Sequence, residues 1–494
     1  MPRRLTPLLA AAVLAACSTA DTPTGLAPGE RPSLAANAGG VVEVTTNADA
    51  GRGSLRAAVA EANADADVRT IRIRNGLAAI AVATPIVYTG TQALTIDGNG
   101  ATLTGAALVA TDPTENAVLV ATGAADLTIR RLTVANSTGN GIVVDVTRNT
   151  RARTIEVQLL DVTVTGSAEH GVIVNEQTDF FTRDLESNVE TGTPADLRVV
   201  VRDSRLAANG FSALDRDGLR VNEGGPGSLH AEIAHATFDG NGADGVELDE
   251  RGAGDAVYTV RQTRITNNGF YDVTETDLDD GMDVDERGAG DHVATLIQVV
   301  ATGNAEEGID LNENNLGDLR VELRQVTASG SGEEGIDLEE DDDWADRALY
   351  LDPAWGGSLY VTATDVVADG NGGGDAGLKL RERFDGGILT RLVNVTSRDN
   401  ATGGISVREQ EAGALVAELV NAEARRNQGE GIELRQDGAG AIDARVIRAV
   451  STDNTGAALR LRDAGTARVQ SLVASGNGFA TPIRTTGVVV EEVP

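Results

Sequence analysis

The stretch Gly308–Glu334 reads GIDLNENNLGDLRVELRQVTASGSGEE and decides the fold class of this chain. It contains three short runs, IDL, LRVEL and QVTAS, in which apolar and polar residues alternate, a period typical of β-strands. Its opening glycine recurs before an aliphatic residue at Gly141, Gly171, Gly218, Gly245, Gly281, Gly308, Gly335, Gly377, Gly404 and Gly431. Five of the steps between these glycines are 27 residues long, so the chain is a repeat with three short strands per turn.

We therefore predict an all-β fold, a single-stranded right-handed parallel β-helix with three strands in each turn of roughly 27 residues. An α-helical solenoid would need a period of 3.6, which the repeats lack, and a β-propeller would need four antiparallel strands per blade. The repeats resemble those of the pectate-lyase-like β-helix family over roughly residues 41–494. The right-handedness rests on that resemblance and on the rule for parallel crossovers.

The first 17 residues are predicted to be a targeting segment rather than part of the fold. MPRR is basic, LTPLLAAAVLA is apolar, and the segment ends in Leu14-Ala15-Ala16-Cys17. This ending resembles the lipobox of bacterial lipoproteins, which implies lipidation of Cys17 and anchoring in the cell envelope, at the outer membrane or cell surface. The alternative is an ordinary secretory signal with an incidental cysteine. Residues 18–40 are predicted to be a flexible tether.

The segment 41–125 is predicted to form the N-terminal cap and the first turns of the coil. Within it, GRGSLRAAVAEAN at Gly51–Asn63 predicts a helix with Ser54 as N-cap and an apolar stripe formed by Leu55, Ala58, Val59 and Ala62. The segment resembles the opening of many bacterial surface β-helix proteins. Residues 126–494 are predicted to be β-helix repeats with insertions near 177–196, 270–280 and 341–356.

Asparagine recurs four residues before the anchor glycine, at Asn241, Asn304, Asn400 and Asn427, with Ser331 replacing it once. Asn tolerates the left-handed conformation of a sharp corner, and its amide could bond to the same corner one turn away. The pattern resembles the asparagine ladder of β-helix proteins and predicts a structural role.

The charge of the chain is uneven. The net charge is −34, which excludes nucleic acid and leaves a lipid anchor as the only membrane contact. Residues 245–346 carry 28 Asp and Glu against 6 Arg, whereas residues 377–494 carry 15 of each sign. The acidic excess therefore belongs to a few turns.

Strand alternation predicts that these acids form two outward columns on the first strand of successive turns. The candidate metal ligands are Glu247, Asp249, Asp283, Asp285, Asp310, Asp337 and Glu339. Stacked about 4.8 Å apart, exposed carboxylates repel one another unless a cation lies between them, and calcium accepts carboxylate oxygens. The alternative is a solvated acidic face that keeps an exported protein soluble.

Aromatic residues make up 3% of the chain and concentrate in the insertions. The candidates for contact with a substrate or glycan are Phe180, Phe181, Tyr271, Trp344 and Trp355. Long loops on a rigid scaffold often carry binding sites, and aromatic rings beside carboxylates suit sugars. The alternative is that each aromatic group anchors its own loop.

These features predict a surface-tethered binding or adhesion module that contacts glycans and has an acidic face able to hold calcium. The alternative is a calcium-dependent polysaccharide lyase or glycoside hydrolase, which the resemblance to the pectate-lyase-like fold implies. Lys379, the only lysine, lies one turn beyond the acidic column and is the candidate catalytic base. The signatures of the polygalacturonase branch are missing, and hydrolysis would require a carboxylate pair that the repeats do not single out.

Overall fold

A computed structural model of the protein describes residues 40–110, 116–178, 191–271, 279–314, 316–341, 356–384 and 386–493. Within these ranges it contains one α-helix and 37 β-strands, and neighbouring turns pair in parallel throughout. The predicted right-handed parallel β-helix with an N-terminal helix is confirmed. No helix among the described residues is long and apolar enough to cross a membrane. The predicted signal peptide, Cys17 and most of the tether lie outside the described ranges.

Each turn contributes one strand to each of three sides of the coil. The first side carries the anchor glycines and consists of β4 (Ile86–Tyr88), β6 (Ala117–Ala121), β8 (Asn140–Asp145), β10 (Val172–Asn175), β13 (Leu219–Glu223), β16 (Val246–Glu250), β19 (Met282–Glu286), β22 (Ile309–Asn314), β25 (Ile336–Asp341), β28 (Ala376–Glu382), β31 (Gly403–Glu409) and β34 (Ile432–Gln436).

The second side follows the first around each turn. It consists of β1 (Val41–Val44), β2 (Thr70–Ile73), β11 (Ala195–Arg202), β14 (Leu229–Ala234), β17 (Ala256–Arg261), β20 (His292–Ile297), β23 (Leu319–Arg324), β26 (Leu359–Thr364), β29 (Ile388–Val393) and β32 (Leu415–Val420).

The third side closes each turn with short strands. It consists of β3 (Ile80–Ala81), β12 (Arg205–Ala207), β15 (Thr237–Asp239), β18 (Arg264–Thr266), β21 (Val300–Thr302), β24 (Thr327–Ser329), β27 (Val367–Asp369), β30 (Thr396–Arg398) and β33 (Glu423–Arg425).

Longer strands run continuously around one or more corners. They are β5 (Leu94–Thr104), β7 (Leu127–Ala135), β9 (Arg153–Thr165), β35 (Ile442–Thr452), β36 (Leu459–Ser475) and β37 (Ile483–Val493). The inward residues of all three sides form one continuous core of Val, Ile, Leu and Ala. A coil this narrow leaves little room for aromatic rings inside, which accounts for their scarcity in the sequence.

The helix α1 (Leu55–Ala64) packs on β1, β2 and β4 at the start of the coil. Ser54 is its N-cap and accepts a hydrogen bond from the Ala57 N–H at 3.2 Å, as predicted. The predicted stripe is the buried face, because its four residues are each at most 2% exposed. The helix therefore covers apolar side chains at the end of the coil, where the described residues include no earlier turn.

The predicted asparagine ladder is confirmed and longer than the pattern indicated. Its side-chain amides donate to one another from turn to turn at 2.9–3.1 Å through Asn209, Asn241, Asn268 and Asn304, and again through Asn371, Asn400, Asn427, Asn454 and Asn477. One detail of the prediction is wrong. The left-handed residue is the one before the ladder position, such as Gly240 or Gly303, so the asparagine is selected for its hydrogen bonds rather than for its backbone.

Candidate metal centre

The acidic residues predicted on the first side stack in register. Glu247 pairs with Asp283, Asp283 with Asp310, and Asp310 with Asp337 on successive strands. The second predicted column stacks in the same way, through Asp249, Asp285, Asn312 and Glu339. The two columns therefore bring carboxylates from four turns onto one strip, which we call the acidic strip.

Most of this strip is buried, which corrects the expectation of an exposed acidic surface. Asp249 is 1% exposed and Asp337 and Glu339 are each 4% exposed, while Asp283 and Asp310 are half-buried. Some of these carboxylates are shielded from solvent by an arginine two residues later in the sequence, whose side chain folds back onto the aspartate. Arg251 lies 3.1 Å from Asp249, and Arg287 makes the equivalent contact with Asp285. Since buried charges are costly, each carboxylate needs a partner, and the partners decide what the strip can do.

Arg220 neutralises one end of the strip. Its side chain is 2% exposed and its guanidinium lies 2.5 Å from Asp215, 3.0 Å from Asp249 and 3.5 Å from Asp217, in addition to an ion pair with Glu247. Arg220 occupies the column position directly beside Glu247. One buried cation therefore serves four acids.

Lys379 and Arg381 neutralise the other end. The Lys379 ammonium lies 2.6 Å from Asp337 and 3.5 Å from Glu334 and also contacts Glu339, which Arg381 contacts from its second side. Burial opposes the charge of Glu339, but Lys379 and Arg381 outweigh burial and lower its pKa to about 2. The same carboxylates hold the pKa of Lys379 above its usual value, although its burial acts in the other direction. A lysine held protonated in this way is poorly suited to act as a base.

A third acidic column was not recognised in the sequence. It consists of the residue immediately before five consecutive anchor glycines, Gly218 to Gly335, namely Asp217, Asp244, Asp280, Glu307 and Glu334. Asp217 accepts the backbone N–H of Asp244 at 3.1 Å, and Asp280 accepts that of Glu307 at 2.7 Å. The signal was available, since five consecutive anchor glycines follow an acid. It was missed because strand alternation does not extend past the glycine into the corner.

The centre of the strip lies between its two neutralised ends. Here the third column meets the first, and Asp280, Asp283 and Asp310 each place a carboxylate oxygen within 4.8 Å of the other two. Two further groups adjoin it, Asp244 with Glu247 and Asp283, and Asp280 with Glu306 and Glu307. Asp280, Asp283 and Asp310 form no ion pair with any of the described residues.

The chemistry of the central group fits a hard cation. All its donors are carboxylate oxygens, which calcium and magnesium prefer. The Oδ1 atoms of Asp283 and Asp310 are inaccessible to solvent and have no hydrogen-bond donor among the described residues. Burial, followed by the neighbouring carboxylates, raises the pKa of Asp310 to about 7 and holds the pKa values of Asp280 and Asp283 well above their usual range. Protons and a cation therefore compete for these carboxylates near neutral pH.

The predicted aromatic contacts lie mostly outside the described residues, and this applies to Phe180, Phe181, Trp344 and Trp355. Tyr271 is described and is half-buried, with its backbone N–H donating to Gly242 O at 2.8 Å. Its neighbour Phe270 is exposed.

A shallow groove of about 580 Å³ lies on the outer face of the second side. Its floor carries Tyr360 and the exposed side chains of Leu389 and Val416, which stack on successive turns. Beside them, Glu418 lies 2.8 Å from Arg391 and 3.3 Å from Arg445. The groove combines apolar surface with fixed hydrogen-bonding groups. Sequence periodicity could not reveal it, because alternation marks all of these residues as outward-facing and does not show which outward residues form a groove.

No protein-family model matches the chain, and no curated protein is significantly similar in sequence. Among solved structures, it is similar to the periplasmic alginate epimerase AlgG, with 12% identity, a TM-score of 0.40, and coverage of 84% of this chain and 78% of that one. It is also similar to the A-module of the Azotobacter vinelandii mannuronan C-5 epimerase AlgE6, with 13% identity, a TM-score of 0.36, and coverage of 91% and 99%. A third is PfbA, a surface adhesin of Streptococcus pneumoniae, with 10% identity, a TM-score of 0.29, and coverage of 79% and 88%. Likeness at this level does not transfer residue roles to this chain.

Proposed function

We propose that the chain is a divalent-cation-binding β-helix of the bacterial cell envelope, with calcium as its cation and glycans as its binding partners. The observation that carries the proposal is the central group of Asp280, Asp283 and Asp310. Calcium binds oxygens at about 2.3–2.6 Å, so two ligands on opposite sides of one ion are about 5 Å apart. The carboxylate oxygens of the group lie within 4.8 Å of one another, which suits one shared ion.

Asp283 and Asp310 would hold the ion from two neighbouring turns, and Asp280 would support it from the corner. Because Asp283 and Asp310 are half-buried rather than enclosed, part of the coordination sphere would remain open to the solvent. A bound calcium ion would supply a positive charge on an otherwise acidic strip and accept hydroxyl or carboxylate oxygens there. This is how a chain with a net charge of −34 could contact an acidic glycan.

Calcium at millimolar concentration is expected to raise the melting temperature of the wild-type protein and to give a saturable heat in calorimetric titration. The double variant Asp283→Asn/Asp310→Asn should show neither effect. Its calcium-free form should melt at or above the wild-type temperature, because the amides cannot repel the neighbouring carboxylates. The affinity of the wild-type protein should weaken as the pH falls from 8 to 6, because the raised pKa values make protons compete with the ion.

The matched control is Asp365→Asn, a change of the same chemistry at an exposed corner where Asp365 accepts a hydrogen bond from the Asn394 amide at 2.8 Å. It should leave the calcium response intact. A wild-type protein that gives no heat and no shift, or a double variant that responds as the wild type does, would contradict the cation site.

A second glycan contact, separate from the one at the acidic strip, is assigned to the groove on the second side. A tyrosine ring, exposed aliphatic side chains and planar charged groups offer a sugar both an apolar surface and hydrogen bonds. In a panel of immobilised neutral and uronic-acid polysaccharides, we expect Tyr360→Ala to weaken binding about tenfold, equivalent to 1.4 kcal/mol. Val473→Ala changes another exposed residue outside the groove and should have no effect. Equal binding by Tyr360→Ala and the wild type would count against this groove.

The lyase or hydrolase alternative predicts a product. Incubation with uronic-acid polymers should then give unsaturated ends or new reducing ends, and Asp310→Asn should abolish them. Binding without product favours the binding module. The raised pKa of Lys379 weighs against its use as the base of a lyase.

A further inference from the structure

A column of glutamates runs along the coil beside the acidic strip but on its inner side. Each member is the sixth residue counted from the anchor glycine, and strand alternation places Glu250, for example, on the same side as Val246 and Leu248. Every member is fully buried at 0% exposure. The column, which we call the glutamate ladder, consists of Glu176, Glu223, Glu250, Glu286, Glu313, Glu340, Glu382 and Glu409, and Gln436 takes the next position.

One carboxylate oxygen of most members caps the turn that follows the strand. The Gly252 N–H donates to Glu250 at 3.1 Å, and the Gly288 N–H donates to Glu286 at 2.9 Å. The Phe384 N–H donates to Glu382 at 2.6 Å. These contacts explain why an acid can occupy an inward position, because the backbone amides replace part of its water.

The second oxygen has no such donor. Within the described part of the chain, six members each have one buried carboxylate oxygen with no hydrogen-bond donor: Glu223, Glu250, Glu286, Glu340, Glu382 and Glu409. Among the same residues, Glu313 has no donor to either of its oxygens. Neighbouring ladder members nevertheless contact one another side chain to side chain, in the pairs Glu223–Glu250, Glu250–Glu286, Glu286–Glu313, Glu340–Glu382 and Glu382–Glu409. An ionised carboxylate only accepts hydrogen bonds, so two of them in buried contact repel each other unless a proton or a cation lies between them, and a proton is the smaller of the two.

We propose that the glutamate ladder shares protons along the coil, with the carboxylic O–H of one turn donating to the carboxylate of the next, and that losing these protons at alkaline pH loosens the coil. Each shared proton removes a negative charge from the interior and supplies the missing donor. The ladder would thus join consecutive turns by side-chain hydrogen bonds, as the asparagine ladder does at another corner.

The charged groups near the ladder do not replace these protons. Arg251, Arg287 and Arg383 each follow a ladder member but extend towards Asp249, Asp285 and Glu339 respectively. Asp291 and Asp318, from the turns before β20 and β23, face Glu313 and add negative charge. His292 is neutral, because burial lowers its pKa to about 4, and it bonds to the Asn312 carbonyl oxygen.

The ladder is already continued by an amide in the natural sequence. Gln436 is the neutral counterpart of a protonated glutamate, is fully buried, and donates from Nε2 to Glu411 O at 2.9 Å. An uncharged side chain with an N–H donor therefore fits this position in the coil.

The direction of the pH effect follows from the raised pKa values. Burial first, and then the neighbouring Glu250, raise the pKa of Glu223 to about 12, and burial raises that of Glu409 to about 8. Both exceed the value of about 4.3 expected for an unfolded chain. Below that pH both the folded and the unfolded chain hold the proton, so the free energy of unfolding does not change with pH and the contribution of the ladder is fully present. Above it the unfolded chain releases protons that the folded one keeps, so stability falls as the pH rises towards 8 and beyond.

The test uses Glu382→Gln in the full chain without added metal, since Glu382 lies between two ladder neighbours and away from the cation site. The variant should release about one proton fewer than the wild type on unfolding at neutral pH. Its melting temperature should match that of the wild type at pH 5 and exceed it at pH 9. The infrared band of protonated carboxyl groups at neutral pH should also weaken.

The control Glu43→Gln removes an exposed acid from the outer face of β1 and should change none of these readouts. Glu382→Leu removes the cap of the Phe384 N–H as well and should destabilise the protein at both pH values. Two results would overturn the proposal. One is that Glu382→Gln releases as many protons and shows the same infrared band as the wild type, and the other is that it loses the same stability at pH 5 and at pH 9.

Discussion

Replacing Arg220 with methionine is expected to lower the free energy of unfolding by about 3–5 kcal/mol, the range for breaking a buried ion pair by removing one partner. Methionine fills a similar volume but leaves Asp215, Asp217, Glu247 and Asp249 without their shared cation. Three of these acids are buried and cannot regain water without opening the coil. The midpoint of urea unfolding at pH 7 measures the loss.

The loss should shrink in acid. His170 and Arg220 act against the burial of Asp217 and lower the pKa of that residue to about 2 in the folded protein. A lowered pKa stabilises the fold above the unfolded value of about 3.9, and this stabilisation disappears as the pH falls towards 2. The wild type and Arg220→Met should therefore converge between pH 4 and pH 2.

Arg426→Met is the matched control. Arg426 forms an ion pair with Asp399 at 2.6 Å, but both side chains are about half exposed, so its removal should cost less than about 1 kcal/mol. Similar losses in the two variants would show that Arg220 contributes no more than a surface charge.

Replacing Gly290 with alanine is expected to cost about 3 kcal/mol or more, at the upper end of overpacking effects. A Cβ added at Gly290 would lie 1.6 Å from the carbonyl oxygen of Gly254 in the preceding turn. The obstacle is backbone rather than a movable side chain, so the two turns would have to separate. Gly290 does not have a positive φ, so the cost is steric.

Ala289→Ser tests the same turn at an exposed position and should change the unfolding midpoint by no more than about 0.5 kcal/mol. Limited proteolysis at this turn should accelerate in Gly290→Ala and not in the control. An alanine variant as stable as the wild type would mean that the turns can move apart there at little cost.

The architecture could be predicted because each of its rules is local. Alternation in the strands, the glycine spacing, the Ser54 cap and the recurring asparagine are all visible within one turn, and stacking repeats them. The register of the acidic columns follows from the same repetition, since Asp283 and Asp310 hold equivalent positions in consecutive turns. The two insertions that carry Phe180 and Trp344 do not follow the repeat in sequence, so the rules of the repeat predict nothing about them.

The acidic strip shows where local rules end. Alternation indicated that Asp249 and Asp337 point away from the core, and they do belong to the outer columns, but it could not indicate that both are buried. Asp249 pairs with Arg251, which lies just past the end of its own strand, and Asp337 pairs with Lys379, which lies in the next turn. The inward position of Glu250 also follows from the alternation, but alternation could not indicate that the Gly252 N–H in the corner that follows would satisfy a buried acid there.

The sequence by itself determined the coil, its period and the stacking of like residues, because a solenoid repeats the same short-range contacts in every turn. Only the tertiary structure decided which charges at the two ends are neutralised, because Arg220 reaches Asp249 and Lys379 reaches Asp337 from another turn, 29 and 42 residues away in the sequence. It placed Arg220 and Lys379 at the two ends of the strip and left Asp280, Asp283 and Asp310 between them. The repulsion predicted for stacked acids is thereby neutralised at the ends of the strip by arginine and lysine. In our proposals, a divalent cation neutralises it at the centre of the strip, and shared protons do so in the glutamate ladder.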